Sequence, residues 1–556
     1  MGALIESKVK TVRSQHGRPV GALALCVAAL ALVLILTVVG AAEAEPPTLP
    51  QSQPLEAPAA SAATTVTYVA AGADLQAALD AAMPGDVLEL EAGAVFSGNF
   101  VLPRKPLSEE WIYVRSSAAT TSLVPPGTRV GPDSSQNMAT LEASSGTVLG
   151  AAAGARQYVL TGLEIRPAAQ SATAVNALVW LGGEGWPVQE QPAEIIIERS
   201  YLHGDPQLGM RRGVVLNAGA TTIHDSYLAD FMTTSSDSQA VVGWSGPGPY
   251  RIHNNYLEAA GENVMFGGAD PYVRELVPSD ITITGNHFYK PPAWNPADPS
   301  FAGTQWQVKN LLELKNARRV LISGNVLENN WMGAQNGFAI LFTVRNQDNT
   351  APWSVVEDVT FSDNLIRNVA NGFNLLGYDD NYRSQQTKRI HIYNNLITGL
   401  GEGGQGTLLQ MLDGTAGVQV QQNTVMNRGN LMMAEGRSHV GFVFSSNIAM
   451  HGEYGMIGTG TASVQDTLAR YFTEPELRGN VIVGAAPNQY PEDNTTVRNV
   501  AALDFVDVNA GNFRLSERSR FSAARSAGAS GADIDRLCNA LSSVDRHMFC
   551  AAPVAP

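Results

Sequence analysis

Charged side chains are the scarcest commodity in this 556-residue chain, at 16 % of the total, where an ordinary globular domain carries about a quarter. The charge that is present leans acidic, for a net of −15. Four basic and two acidic residues precede residue 45, so the remainder holds 32 basic against 49 acidic side chains, a net of −17. That surface repels nucleic acid and anionic membranes and removes both as partners. Cysteine is rare as well. Cys26 lies in an apolar N-terminal run, which leaves Cys538 and Cys550, close enough in sequence to bridge outside the cytoplasm. The histidines His203, His224, His253, His287 and His391 lack the close paired spacing of a zinc site. Glycine, by contrast, is plentiful (53 residues), as expected of a turn-rich β protein.

What the chain has in quantity is one short phrase. It reads ITITGNHFY at Ile281–Tyr289, VLISGNVLEN at Val320–Asn329, VTFSDNLIRN at Val359–Asn368 and IHIYNNLITG at Ile390–Gly399, with looser copies on both sides. Apolar and polar residues alternate, then comes a polar corner, then a second short apolar stretch; alternation is the period of a strand with one buried face. The corner residues are Ser200, Ser226, Asn255, Asn286, Asn325, Asn364, Asn395, Asn423 and Asn447, separated by 26, 29, 31, 39, 39, 31, 28 and 24 residues. Repeats of this size make solenoids or propellers, and propeller blades need four strands in about 40–45 residues. Two or three short strands per unit predict an all-β chain: a right-handed parallel β-helix. Asn suits the corner because it tolerates left-handed backbone and its amide can bond an Asn one coil away.

Residues 1–44 carry Lys8, Lys10, Arg13 and Arg18 ahead of an uncharged run from Val20 to Ala42, the pattern of a signal peptide or an N-terminal membrane anchor. Either one predicts export, to the periplasm, the exterior or an envelope-anchored position, with membrane contact only through this segment. Residues 45–65, rich in Pro, Ala and Ser, are expected to be a linker. DLQAALDAAMPGD at Asp74–Asp86 predicts a short helix, N-capped by Asp74, that covers the open end of the solenoid. This helix–PGD–strand opening with I-x-I-x-x-N coils resembles the pectate-lyase-like superfamily of right-handed β-helices. The β-helix is placed at 66–515 and a C-terminal tail at 516–556. Helical spacing of Ile534, Leu537 and Leu541 predicts that this tail covers the other end.

Function has to come from departures from the repeat. Insertions at Phe266–Asp280, Tyr289–Gln307, Arg345–Glu357 and Gly377–Lys388 gather near the middle coils, where loops would wall a groove. They carry Trp294, Trp306, Trp353 and Tyr378, whose ring faces suit sugars; each ring would equally serve to pin its loop. Within Leu311–Lys315, core leucines at 312 and 314 would leave Glu313 and Lys315 outward, with Arg345 one coil later and Glu262 and Asn263 one coil earlier. ELKNARRVLISGN followed by AILFTVRNQ resembles the polysaccharide lyases that include chondroitinase B and alginate lyases. That resemblance implies Lys315 as base, Arg345 as acid or carboxylate clamp, Glu262, Asn263 and Glu313 as ligands of a calcium cofactor, and an acidic polysaccharide as substrate. Arg319 and Asp379 join the aromatic residues as candidate sugar contacts. Two other readings stand beside it: a glycoside hydrolase using Asp379 and Asp380, and a non-catalytic glycan-binding or envelope β-helix. The sequence offers no self-complementary patch, so a monomer is expected.

Overall fold

The computed structural model describes residues 45–53, 55, 56, 58, 65–522 and 530–550; the predicted leader, residues 1–44, lies outside them. The chain winds as a right-handed parallel β-helix. Each coil lends one strand to each of three long parallel sheets, so strands adjacent in space are three apart in sequence. The first sheet begins at Val66–Val69, the second at Val95–Ser97 and the third at Phe100–Leu102. In the first sheet Ile283, Ile322, Phe361, Ile392 and Val420 stack in register and are buried, which is the inward half of the alternation seen in sequence.

The corner between the first and second sheets is an amide ladder. The Asn286 backbone N–H and Nδ2 both donate to Asn325 Oδ1, at 2.9 and 3.0 Å. Asn325 repeats this on Asn364, Asn364 on Asn395, Asn395 on Asn423 and Asn423 on Asn447. The ladder runs two rungs past the expected end, through Asn480 to Asn494. The left-handed residue is not the ladder Asn but the one before it: Asn254, Gly285, Gly324, Asp363, Asn394 and Gln422 have φ between +51° and +66°. The corner therefore needs two specialised residues in a row.

α1 (Leu75–Ala81) is N-capped by Asp74 and buries Leu75 and Leu79 over the first coil, as expected. The far end is covered differently. α2 (Val464–Tyr471), which the sequence reading passed over, places Val464, Leu468 and Tyr471 on the end of the core. The tail helices α3 (Ile534–Ala540) and α4 (Ser543–Phe549), joined by the Cys538–Cys550 disulfide, fold back along the side of the second sheet. There the outward column Val326, Leu365 and Leu396 is apolar and receives Ile534, Leu537 and Leu541. Gly324 permits the approach, since a side chain there would strike the Ala540 carbonyl. Phe505–Asp507 and Asn512–Leu515 pair antiparallel, outside the three long sheets.

One buried ion pair latches the tail: Arg129 Nη2 meets Asp545 Oδ2 at 2.9 Å, with side-chain exposures of 6 % and 0 %. Asp545→Ala leaves the buried guanidinium without a counter-charge, holding only the Asn254 and Gly285 oxygens, and is expected to loosen α3 and α4 by about 3 kcal/mol. Hydrogen exchange should read this as faster amides at 534–549 with the coils unchanged.

The 45–65 segment is less free than its composition predicts. Its described residues lie along the first sheet: Thr48 N–H on Asp358 and Gln51 N–H on Asp280, then Leu55 and Pro58 accepting from Thr222 and Tyr113 hydroxyls. A proline-rich extended chain cannot add a ladder strand, so it is held by side-chain groups. Among the described residues no helix is long and apolar enough to cross a membrane.

Candidate functional site

The third sheet carries the groove. Val264, Leu312, Ile340 and Phe373 stack inward, as do Phe266, Leu314, Phe342 and Leu375. The column between them, Met265, Glu313, Leu341 and Asn374, faces outward. Lys315 and Thr343 lie two residues beyond Glu313 and Leu341 on that same outward face. These side chains, with Arg345 and the turn residues Ala334, Gln335 and Asn336, line a cavity of about 340 Å³.

Lys315 and Arg345 do converge, despite their long separation in sequence, because they sit on adjacent coils: the Arg345 N–H donates to the Lys315 carbonyl at 2.9 Å. Lys315 Nζ is 3.5 Å from Glu313 Oε1, which also accepts from Thr343 Oγ1 at 3.4 Å. Glu313 is 2 % exposed and Lys315 15 %, so the pair is recessed but reachable. Arg345 Nη1 donates to Asp379 Oδ1 at 2.7 Å and also to Asp380 Oδ1. The two acids differ. Asp379 is buried and takes the N–H groups of Asn346 and Asn381. Burial pushes its carboxyl up, but those amides and Arg345 outweigh burial and hold it below the usual range. Asp380 is 54 % exposed and, among the described residues, bonds only to Arg345.

The remaining candidates scatter. Glu262 aligns with Asn310 rather than Glu313; it accepts from Gln239 Nε2 at 2.8 Å and lies 3.6 Å from Lys309 Nζ. Burial, then repulsion from Glu313, push it up to about 7. Asn263 turns into the coil, because Leu311 and Leu312 both join the core and Asn263 takes the position matching Leu311. Its Oδ1 accepts from Lys290 and its Nδ2 donates to the Leu257 and Tyr289 carbonyls. Arg319 is in the first sheet, outside the cavity, paired to Asp280 through two bonds of 2.8 and 2.9 Å. Trp294 and Trp306 are buried with Trp331 beneath their loop, the pinning role; the edge of Trp306 borders a second cavity of about 420 Å³. Trp353 is half-buried and donates to the Leu276 carbonyl. Tyr378 lies 4.9 Å beneath Arg437 in a third cavity that includes Asp379 and Asp380.

Gln335, Asn336, Asn374 and Thr343 are not among the residues the sequence singles out: Gln335 and Asn336 lie in a short turn that no insertion marks, and Thr343 and Asn374 are ordinary strand positions. Asn374 Oδ1 is buried in the cavity wall without a donor among the described residues, as is Oδ1 of Asn310, which bonds the lining residue Gln335 through its Nδ2. Orphaned acceptors at a cavity are where a ligand's hydroxyl protons find partners.

Behind the groove, Lys290 is fully buried and donates to the Ala259, Ala260 and Gly261 carbonyls, fastening the 290–309 loop to the corner. Burial pulls it down to about 7, against the charges of Glu262 and Glu258, which favour the ammonium form. Glu258, next to it in the corner, is pushed up to about 7 by burial and by Asp230. A carboxyl raised in the fold supplies stability that is complete below its unfolded value near 4.5 and is lost as pH climbs through about 7. Glu258→Gln should therefore match the parent melting temperature near pH 4.5 and exceed it increasingly up to pH 8.

No protein-family model and no curated protein sequence matches the chain. Solved structures do resemble it. An alginate lyase from Paenibacillus sp. is 10 % identical, aligned over 75 % of this chain and 99 % of its own, with a TM-score of 0.31. The catalytic unit of a GH87 α-1,3-glucanase from Streptomyces thermodiastaticus gives 11 %, 82 %, 72 % and 0.48. The PL6 family alginate lyase AlyGC gives 10 %, 88 %, 60 % and 0.47. At such identities the likeness is one of fold.

Proposed function

We propose that the protein cleaves an acidic polysaccharide by β-elimination in the third-sheet cavity. The observation that carries this reading is the meeting of Lys315, Arg345 and Glu313 around one 340 Å³ space. Elimination needs the uronate carboxylate neutralised so that its α-proton becomes acidic, a base for the C5 proton, and proton donation to the departing C4 oxygen. Arg345 clamps the carboxylate, held at the correct angle by Asp379. Lys315 Nζ, placed by Glu313 and Thr343, takes the C5 proton, and the ammonium so formed gives a proton to the departing C4 oxygen as the C4–O bond breaks and the C4–C5 double bond forms. Asn374 Oδ1 and the Gln335 and Asn336 amides meet sugar hydroxyls. Absorbance at the unsaturated-uronate band on alginate, pectate and glycosaminoglycans tests it. No rise on any of them ends the proposal.

Calcium does not fit the residues in place. Asn263 is committed to the interior, and Glu262 and Glu313 each already face an ammonium, from Lys309 and Lys315. A calcium ion wants six to eight oxygens, and among the described residues no His, Cys, Asp or Glu cluster of three is grouped to hold a metal. No step runs through one. The hydrolase reading weakens for a related reason: both Asp379 and Asp380 are spent on Arg345. Asp380, exposed and singly bonded, stands where the incoming uronate carboxylate has to bind. Asp380→Ala should lower KM for the acidic polymer about threefold with kcat little changed; a raised KM would show that Asp380 supports the clamp instead. The leader and the Cys538–Cys550 disulfide support work outside the cytoplasm.

A further inference from the structure

A second cleft opens near the N-terminal end of the solenoid, at the exits of the third sheet. Three successive coils form it: Arg104, Lys105 and Leu107 follow the strand Phe100–Leu102, Gly154 and Arg156 follow Gly146–Ala151, and Gln189 sits in the turn Val188–Glu190. The space is about 560 Å³ and no carboxylate lines it. The molecule carries a net charge of −15, and many of its arginines are paired to acids, Arg115, Arg129, Arg199, Arg319, Arg345 and Arg389 among them.

Neither the Arg104 nor the Arg156 side chain has an ion-pair or hydrogen-bond partner among the described residues. Lys105 Nζ donates to the Asp80 backbone carbonyl at 2.8 Å, which fixes its position and leaves its charge uncompensated by direct contact; Asp80 and Asp86 act on it only through space. Arg104 is held by shape. Gly154 has φ +71°, and a methyl group there would lie 3.3 Å from Arg104 Cδ and Nε, so the side chain lies across bare backbone. Three cationic side chains thus line one cleft, none of them in direct contact with a carboxylate among the described residues, while Asp80 and Asp86 act on Lys105 through space.

We infer that this cleft is a binding site for the anionic groups of a polymer, with a polyuronate as the occupant. Guanidinium forks match planar carboxylates in two-bond geometry. The net negative charge of the molecule opposes anions in general, so an occupant must engage several of these cations at once, which a chain of carboxylates does and a lone ion does not. It lies at least four coils, roughly 20 Å, from the Lys315 cavity. Holding one stretch of polymer here raises the local concentration of the rest at the groove. The inference does not rest on the lyase reading, because a non-catalytic glycan binder would use the cleft equally well.

The test is affinity electrophoresis of the full chain through gels containing alginate, chondroitin sulfate, long-chain polyphosphate or a neutral β-glucan. Lys315→Ala is run beside wild type so that turnover does not erase the ligand. Alginate is expected to retard both, with the neutral glucan inert. Arg104→Gln/Arg156→Gln should weaken the alginate dissociation constant about tenfold while leaving the melting temperature and the cleavage of short oligouronates unchanged. Gly154→Val, which displaces Arg104 without touching charge, should weaken it several-fold. Equal retardation of the double variant and wild type, equal retardation by the neutral glucan, or no retardation by alginate overturns the inference; stronger retardation by sulfate or phosphate polymers overturns the choice of a polyuronate. Retardation without any cleavage would leave the cleft standing and remove the lyase.

Discussion

Lys315→Ala lowers kcat on the acidic polysaccharide about a thousandfold and moves KM less than threefold; that is the outcome the groove predicts. A positioned base contributes about 10²- to 10⁴-fold, and among the described residues the other amines near the cavity are engaged elsewhere. Lys309 is bound to Asp237 at 2.5 Å and Lys290 is locked behind the corner. KM is spared because the carboxylate clamp, Arg345 with Asp379, does not depend on the lysine side chain. Arg345→Ala should show the converse pattern, a large rise in KM with a further loss in kcat, since it removes the group that makes the C5 proton acidic. Unsaturated-uronate absorbance and reducing-end release, measured together, separate elimination from hydrolysis. Wild-type rates in Lys315→Ala would leave the cavity as a binding groove with no chemistry of this kind.

How legible this was depends on how far each inference travelled from the repeat. Stacking in register is a property of the whole solenoid, so Glu313, Lys315 and Arg345 are brought together by residue counting over a single coil, with the 345–357 insertion starting only after Arg345. Counting failed at Asn263. Period-two alternation holds inside a strand, whereas at the entry from the corner the chain is still turning and Leu311 and Leu312 both point inward. The tail was misplaced because its apolar face is compatible with either the open end or the apolar column Val326–Leu365–Leu396, and only the three-dimensional register reveals that column. α2 has a clear cap, Ser463, and an apolar face, but it interrupts the strands rather than following them. The Pro-rich segment reads as a free linker since its partners, Asp358, Asp280, Thr222 and Tyr113, are distant in sequence and belong to different coils.

The largest loss of stability is expected from one uncharged side chain. Asn325 Oδ1 accepts both the backbone N–H and the Nδ2 of Asn286, and its own Nδ2 reaches the Ile283 carbonyl and Asn364 Oδ1. Asn325→Ala removes the acceptor from two buried donors and the donor from a buried carbonyl, in a site with no exposure to water. Each orphaned group costs about 1–3 kcal/mol, so the substitution should destabilise the protein by about 5 kcal/mol. A solvent-exposed ion pair is worth under about 1 kcal/mol. Position within the ladder should set the size of the effect. Ser200 and Ser226 already close the corner at its N-terminal end through a single hydroxyl, Ser226 Oγ taking the Ser200 N–H at 3.1 Å. Asn325→Ser should therefore recover part of the loss, while the same exchange at Asn494, the last rung, should matter least. Denaturant midpoints for the three variants give the ordering. Equal losses at Asn325 and Asn494 would mean that the rungs act singly, without the mutual polarisation that a continuous amide row provides.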